Sequence, residues 1–263
     1  MSASLSPCSL SVIVTELRAA GCVFAEDEAL LLIAAARTPA ELATLVSRRI
    51  AGFPLEHLLG WAEFCGLRIA VDAGVFVPRR RTELLVRRAA ALAGPHPVVV
   101  DLCCGSGAVG AGLVAALGRV ELHAVDIDPA AVRCARRNLL APGAQVYTGD
   151  LYDPLPATLR GRVDIVVANA PYVPTAAIGL LPREARLYEP LVSFDGGVDG
   201  HDVQRRVSAG ASSWLAPGGH LLVETSERQA VRTAEVFVEH GLIARVTSCA
   251  ELDATVVIAT KPD

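Results

Sequence analysis

The segment Val98-Val-Val-Asp-Leu-Cys-Cys-Gly-Ser-Gly107 decides the fold: an apolar run of strand length breaks into a glycine-containing turn and opens a stretch rich in Ala and Gly. Such a turn lets a ligand approach bare backbone, and in an open α/β sheet it lies at the carboxyl edge of the strands, where ligands bind. The Gly-Lys-Ser/Thr ending of a phosphate loop is absent. Downstream, strand-length runs at 121–125, 145–148, 164–168, 220–224, 244–248 and 255–260 alternate with helical stretches at 108–117, 129–140, 203–214 and 227–240, and a further helix at 82–92 precedes the first strand. That alternation is the sequence form of βαβ units around a mostly parallel sheet. The linker 249–254 is too short for a parallel crossover, so the seventh strand is expected to run antiparallel.

Upstream, helices are expected at 12–20, 26–36 and 39–50, the last opened by Thr38-Pro39, a cap followed by proline. Residues 64–77 read as a hairpin turning at Asp72-Ala73-Gly74. The expected organisation is a helical substrate-recognition cap over 1–55, a linker and hairpin over 56–78, and an α/β domain over 79–263.

Hydrophobic residues make up 52% of the 263 and charged residues 20%, enough apolar material for a large core and too much for a disordered chain. The net charge of −4 gives no global attraction to nucleic acid or anionic lipid. The longest apolar run, 29–36, lies between Glu28 and Arg37 and is far short of the roughly 20 residues that span a bilayer. Residues 1–14 lack the basic start of a secretory leader, so a cytoplasmic protein is expected. Seven cysteines without Cys-x-x-Cys spacing and six scattered histidines suit neither a disulfide framework nor a metal site.

Three carboxylates follow successive strands. Asp126, about twenty residues after the glycine turn, is placed to accept both hydroxyls of a ribose, while Asp128 suits the cap of the next helix. Asp150 suits a contact to an adenine exocyclic amine, with Leu151 packing on the ring, although a plain loop aspartate reads as well when taken alone. Together the strand ends favour an adenosine-bearing ligand. On these residues the chain resembles class I S-adenosylmethionine-dependent methyltransferases, which fit better than dinucleotide-binding dehydrogenases. Cys103 stands where these enzymes usually carry glycine, so its side chain must point away from the cofactor or narrow the pocket.

The fourth strand ends in Asn169-Ala-Pro-Tyr172. A carboxamide nitrogen is scarcely nucleophilic because its lone pair is delocalised. Two acceptors, the Asn169 side-chain oxygen and the Ala170 carbonyl, could each take one N–H and turn that lone pair toward a methyl group. Pro171 restricts Ala170 to extended backbone, and the Tyr172 ring can wall the acceptor. The segment resembles the Asn-Pro-Pro-Tyr signature shared by protein-(glutamine-N5) methyltransferases of the PrmC/HemK type and by N6-adenine methyltransferases. The stretches 54–64, Val77-Pro-Arg-Arg-Arg-Thr-Glu83, Tyr188-Glu-Pro190 and Gly196-Gly-Val-Asp-Gly200 resemble the protein-modifying branch, and the Asn-x-Pro-Tyr variant resembles a PrmC-related subgroup.

The resemblance implies a seven-stranded Rossmann-like methyltransferase with S-adenosyl-L-methionine as donor and a glutamine-bearing protein as acceptor. It assigns the chemistry to Asn169, Ala170, Pro171 and Tyr172. Donor contacts fall on Asp101, Cys103, Cys104, Gly105, Ser106, Gly107, Asp126, Ile127, Asp150, Leu151 and Asn169, and substrate contacts on Pro78, Arg79, Thr82, Glu83, Glu189 and Pro190. A monomer without metal, nucleic-acid or membrane partner is expected. Ala170 in place of proline loosens the loop, and the cap reads shorter than in release-factor methyltransferases, with a helical stretch missing around 38–45. The cluster Arg79-Arg80-Arg81 with Arg87 and Arg88 is the feature that favours nucleic acid; no aromatic residues interleave with it, and a solvated helix start is the plainer reading. The alternatives are N6-adenine methylation of nucleic acid, or donor binding without turnover.

Overall fold

The computed structural model describes residues 7–140 and 143–263, so the first six residues of the stretch read for a leader lie outside it. Its N-terminal helices are α1 (Pro7–Ala19), α2 (Ala25–Ala35), α3 (Pro39–Ile50) and the short α4 (Leu55–Leu59). Ile13, Leu17, Leu32, Leu42 and Val46 close a small apolar core among the first three. Thr38 caps α3 by accepting from the Glu41 backbone N–H at 3.1 Å. Residues 38–45 are therefore the cap and first half of a regular helix, as the Thr38-Pro39 start implies.

The hairpin differs from expectation. Strands β1 (Trp61–Phe64) and β2 (Leu67–Ala70) turn at Cys65-Gly66, both in the left-handed region, as a two-residue turn between right-twisted strands requires. Asp72-Ala73-Gly74 forms a separate turn after the hairpin, where Val75 N–H donates to the Asp72 carbonyl at 3.1 Å.

The helix α5 (Glu83–Leu92) then leads into β3 (Val98–Leu102), α6 (Ala108–Leu117), β4 (Glu121–Asp126), α7 (Pro129–Asn138), β5 (Ala144–Thr148) and β6 (Val163–Ala168). After α8 (Arg183–Tyr188) come α9 (Asp202–Trp214), β7 (Leu215–Thr225), α10 (Ala230–Glu239), β8 (Ile243–Cys249) and β9 (Ala254–Thr260). Among the described residues β3 to β9 form one seven-stranded sheet in the order β5-β4-β3-β6-β7-β9-β8, parallel except for β9, which is antiparallel to both neighbours. The fold is thus α/β and Rossmann-like, with the last strand reversed as the short 249–254 linker demands.

Alternation along β3 sends Val98, Val100 and Leu102 to one face, against Val207 and Trp214 of α9 and Phe237 of α10. Val99 goes to the other, against Leu85 of α5 and Leu113 of α6. With both faces covered, the strands read as continuous apolar runs. Chain order reverses about β3, since β4 and β5 lie to one side and β6 to the other. The carboxyl ends of β3, β4 and β6 therefore open on one crevice.

The helical N-terminus is fastened to the segment after β6. Arg49 donates to Glu28 at 2.6 Å, to the Phe53 carbonyl at 3.1 Å and to Glu184 of α8 at 3.1 Å, and the Phe53 and Tyr188 rings lie 4.1 Å apart. Among the described residues no helix is long and apolar enough to cross a membrane.

Candidate active site

At the end of β3 the chain reverses through Cys103, Gly105 and Gly107, all at positive φ. Gly107 is required by packing as well: a Cβ there would lie 3.1 Å from the Ala135 Cβ of α7. A left-handed conformation strains Cys103, which lies on the cavity wall and also packs against the core. Burial pushes the thiols of Cys103 and Cys104 well up, so both stay protonated and unreactive. Leu151, the second non-glycine wall residue with positive φ, follows β5.

Asp126 ends β4 and ties this loop to the next. Its Oδ2 accepts from Gly105 N–H at 2.8 Å and its Oδ1 from Asp128 N–H at 2.9 Å. Asp128 in turn caps α7 through Ala130 N–H at 2.8 Å, the division of labour expected for the two aspartates. Each Asp126 oxygen keeps further acceptor capacity, and the residue lines the cavity. Burial raises the Asp126 pKa against the lowering by these N–H groups.

A cavity of about 510 Å³ spans the strand ends, within the range of small-molecule sites. Its wall includes Cys103, Cys104, Gly105, Ser106, Asp126, Ile127, Asp150 and Leu151 from the expected donor set, and all of Asn169, Ala170, Pro171 and Tyr172. Pro78, Arg79, Thr82 and Pro190 from the expected substrate set line it too.

Four expected residues are not on the wall. Asp101 is buried beneath the loop, accepting from Gly110 N–H at 3.0 Å to fix the start of α6. Gly107 makes the α6–α7 contact. Glu83 accepts from Cys65 N–H at 3.0 Å and holds the hairpin, and Glu189 pairs with Arg79 while accepting from Val77 N–H at 3.2 Å. These groups hold the wall from behind. Asp150 reaches the wall already paired to Arg206 of α9 at 2.7 Å.

Burial, with Asp126 nearby, pushes the Asp101 carboxyl up to about 7. An aspartate raised from an ordinary value near 4 holds its proton longer in the folded state, so its stabilising share is lost as pH rises toward 7. Asp101→Asn keeps an acceptor for Gly110. It is expected to flatten the stability profile between about pH 4 and 7 and to raise stability at pH 8 by about 1–3 kcal/mol. Urea titrations across that range check it, and an unchanged slope would sink it.

At the tip of β6, Asn169 Nδ2 donates to the buried Thr82 hydroxyl at 3.4 Å, and Ala170 is buried. Gln229 Nε2 donates to the Tyr172 carbonyl at 2.8 Å, and Arg81 Nη2 to the Tyr172 hydroxyl at 3.0 Å. Gly200 packs so closely here that a Cβ would come 2.4 Å from the Tyr172 carbonyl oxygen. The sequence reading missed Arg81, Phe76, Glu184, Phe194 and Arg206 as wall residues. In the sequence Arg81 stands only within a charge run and the Val77–Glu83 stretch, neither of which gives it a role, and the others carry no local motif.

A Methyltransferase small domain family model matches residues 66–180. The release factor glutamine methyltransferase of Geobacter sulfurreducens is 38% identical over 208 residues, covering 77% of this chain and 72% of its own length. Those of Mycolicibacterium smegmatis and Streptomyces coelicolor are 38% and 37% identical, over 78% and 74% of this chain and 73% and 70% of their own lengths. A methyltransferase from Pyrococcus furiosus superposes with a TM-score of 0.56 at 16% identity, covering 75% of this chain and 90% of that one. A ribosomal protein L11 methylase from Lactobacillus delbrueckii subsp. bulgaricus gives 0.54 at 15%, covering 74% and 86%; both likenesses speak to the fold alone. With that fold, with a strand-end cavity walled by Asp126 and the Asn-Ala-Pro-Tyr tip, and with relatives at this identity over most of their length, this chain is a methyltransferase belonging to the release factor glutamine methyltransferase family.

Proposed function

We propose that the protein methylates the side-chain amide nitrogen of a glutamine in a translational release factor, with S-adenosyl-L-methionine as donor. The observation that carries this reading is that the Asn169-Ala170 tip and the Asp126 carboxylate wall the same cavity. The wall fits the donor: an aspartate with unfilled acceptor capacity suits a ribose, Ile127 and Leu151 suit the faces of an adenine, and the cavity-lining turn Cys103 to Gly105 suits a methionine end. Asp150, held by Arg206 on the same wall, would take the adenine amine. When bound, the donor supplies a methyl group already activated by its sulfonium charge.

The chain's own part is to bind, orient and exclude water. Thr82 engages the nitrogen end of the Asn169 amide, so the oxygen end is left for one N–H of the acceptor, and the Ala170 carbonyl takes the other. Holding both hydrogens directs the nitrogen lone pair along a single line, and such positioning accounts for most of the rate. Pro171 and Tyr172 close the wall behind it.

A protein acceptor is supported by the rim. Leu180, Leu187, Leu191 and Val192 are exposed on the segment that walls the cavity after β6, next to the cap we assign to substrate recognition. Arg79 and Arg81 are paired with the buried carboxylates of Glu189 and Glu224, which leaves little charge for a phosphate backbone.

The test supplies labelled methyl donor and this enzyme to a lysate from cells lacking it, followed by mass spectrometry. Label on a release-factor glutamine, lost with Asn169→Ala, is the expected result. Label confined to nucleic acid, or none at all, would overturn it.

A further inference from the structure

Tyr172 is held at its carbonyl by Gln229 and at its hydroxyl by Arg81, and both holds lead back to the end of β7. Its carbonyl accepts from Gln229 Nε2 at 2.8 Å, and Ser226 Oγ fixes that amide by donating to Gln229 Oε1 at 2.6 Å. Its hydroxyl accepts from Arg81 Nη2 at 3.0 Å, while Arg81 Nε donates to Glu224 Oε1 at 3.1 Å. Glu224, Ser226 and Gln229 all belong to the end of β7 and the loop after it. Glu224 is 1% exposed, and its Oε2 is a buried oxygen with no hydrogen-bond partner among the described residues. A buried carboxylate so incompletely satisfied is retained against a desolvation cost, which marks its ion pair with Arg81 as more than surface decoration.

We propose that Arg81 is a positioning residue for the acceptor loop: braced by Glu224, it fixes the Tyr172 ring against the cavity. It thereby stiffens a loop whose second residue, Ala170, lacks the restraint of a proline. The inference deepens the glutamine reading above and rests on it for its kinetic part only. The guanidinium acts through the Tyr172 hydroxyl, so its effect must vanish when that hydroxyl is absent.

Removing Arg81 alone would strand the Glu224 charge and could unfold the protein, so Arg81→Met is combined with Glu224→Gln, and Arg81→Lys is tested beside it. The pair is expected to lower kcat about tenfold, the scale of a lost charge-assisted hydrogen bond, with the donor KM within twofold. With Tyr172→Phe already in place, the same pair should lower kcat less than twofold; equal losses in both backgrounds would overturn the proposal. A second readout needs no acceptor. In protein labelled at the tyrosine Cζ, the Tyr172 signal, identified by its disappearance in Tyr172→Phe, should shift in Arg81→Lys. An unchanged signal overturns the positioning role even if glutamine is methylated, whereas a shift without glutamine methylation leaves the role standing and sinks only the choice of substrate.

Discussion

Asn169→Ala is expected to reduce kcat by about 10²–10³-fold, the cost of deleting one preorganised polar group from a site of developing charge. The substitution removes one of the two oxygens proposed to hold the acceptor amide and leaves the Ala170 carbonyl in place. A carboxamide gripped at one hydrogen can rotate, and its lone pair then leaves the line of transfer for most of its lifetime. The fold should survive, because among the described residues the Asn169 side chain makes only the long 3.4 Å bond to Thr82, and the β6 side chains are buried on both faces. Donor affinity should therefore stay within a few-fold. Single-turnover transfer at saturating donor, with calorimetric donor binding on the same sample, separates the two effects. A rate loss below tenfold would remove Asn169 from the chemistry.

The second large effect is on the donor. Asp126→Ala should weaken donor binding on the order of 100-fold, since two charge-assisted hydrogen bonds at about 1.5–3 kcal/mol each are lost against partial replacement by water. Asp126→Asn retains the shape but can accept on one atom only, so an intermediate loss is expected. Both variants also release Gly105 N–H or Asp128 N–H from the carboxylate, so a thermal melt must show that the loop change has not unfolded the domain. The pH dependence has a definite sign. Burial raises the Asp126 pKa, so the carboxylate begins to protonate at higher pH than an ordinary aspartate, and donor affinity should fall as pH falls. Calorimetry from about pH 8 down into the ordinary carboxylate range would show that decline in the wild type and none in Asp126→Ala. A flat wild-type profile would contradict the ribose assignment.

Much of the architecture was legible before any coordinates. Seven strand-length apolar runs appear as β3 to β9, and α6 (Ala108–Leu117) agrees residue for residue with its expected span. Parallel strands covered on both faces must be apolar throughout, and the breaks between them must carry turn residues. The hairpin was misplaced because Asp-Ala-Gly and Cys-Gly are both turn signals, and only cross-strand pairing of Phe64 with Leu67 chooses between them. The segment 175–193, with α8 and its flanking 3-10 turns, was not expected as helical, because its prolines interrupt any 3.6-residue period.

What the amino-acid order determined by itself was the set of strand-end residues: Asp126, Asp150 and the Asn169–Tyr172 tip are each attached to a strand whose direction follows from its connections. Local covalent geometry carries those groups to one edge, so reading along the chain was sufficient. Which of the remaining residues face the cavity was decided by tertiary structure alone. Asp101 and Glu189 were assigned ligand contacts by resemblance, yet packing turns them inward as supports, while Arg81, Phe76 and Arg206 arrive at the wall from distant segments. Such partnerships depend on which side chains meet once the layers close. They are set by burial and by the need to satisfy buried polar groups, and neither is encoded in the spacing of neighbours along the chain.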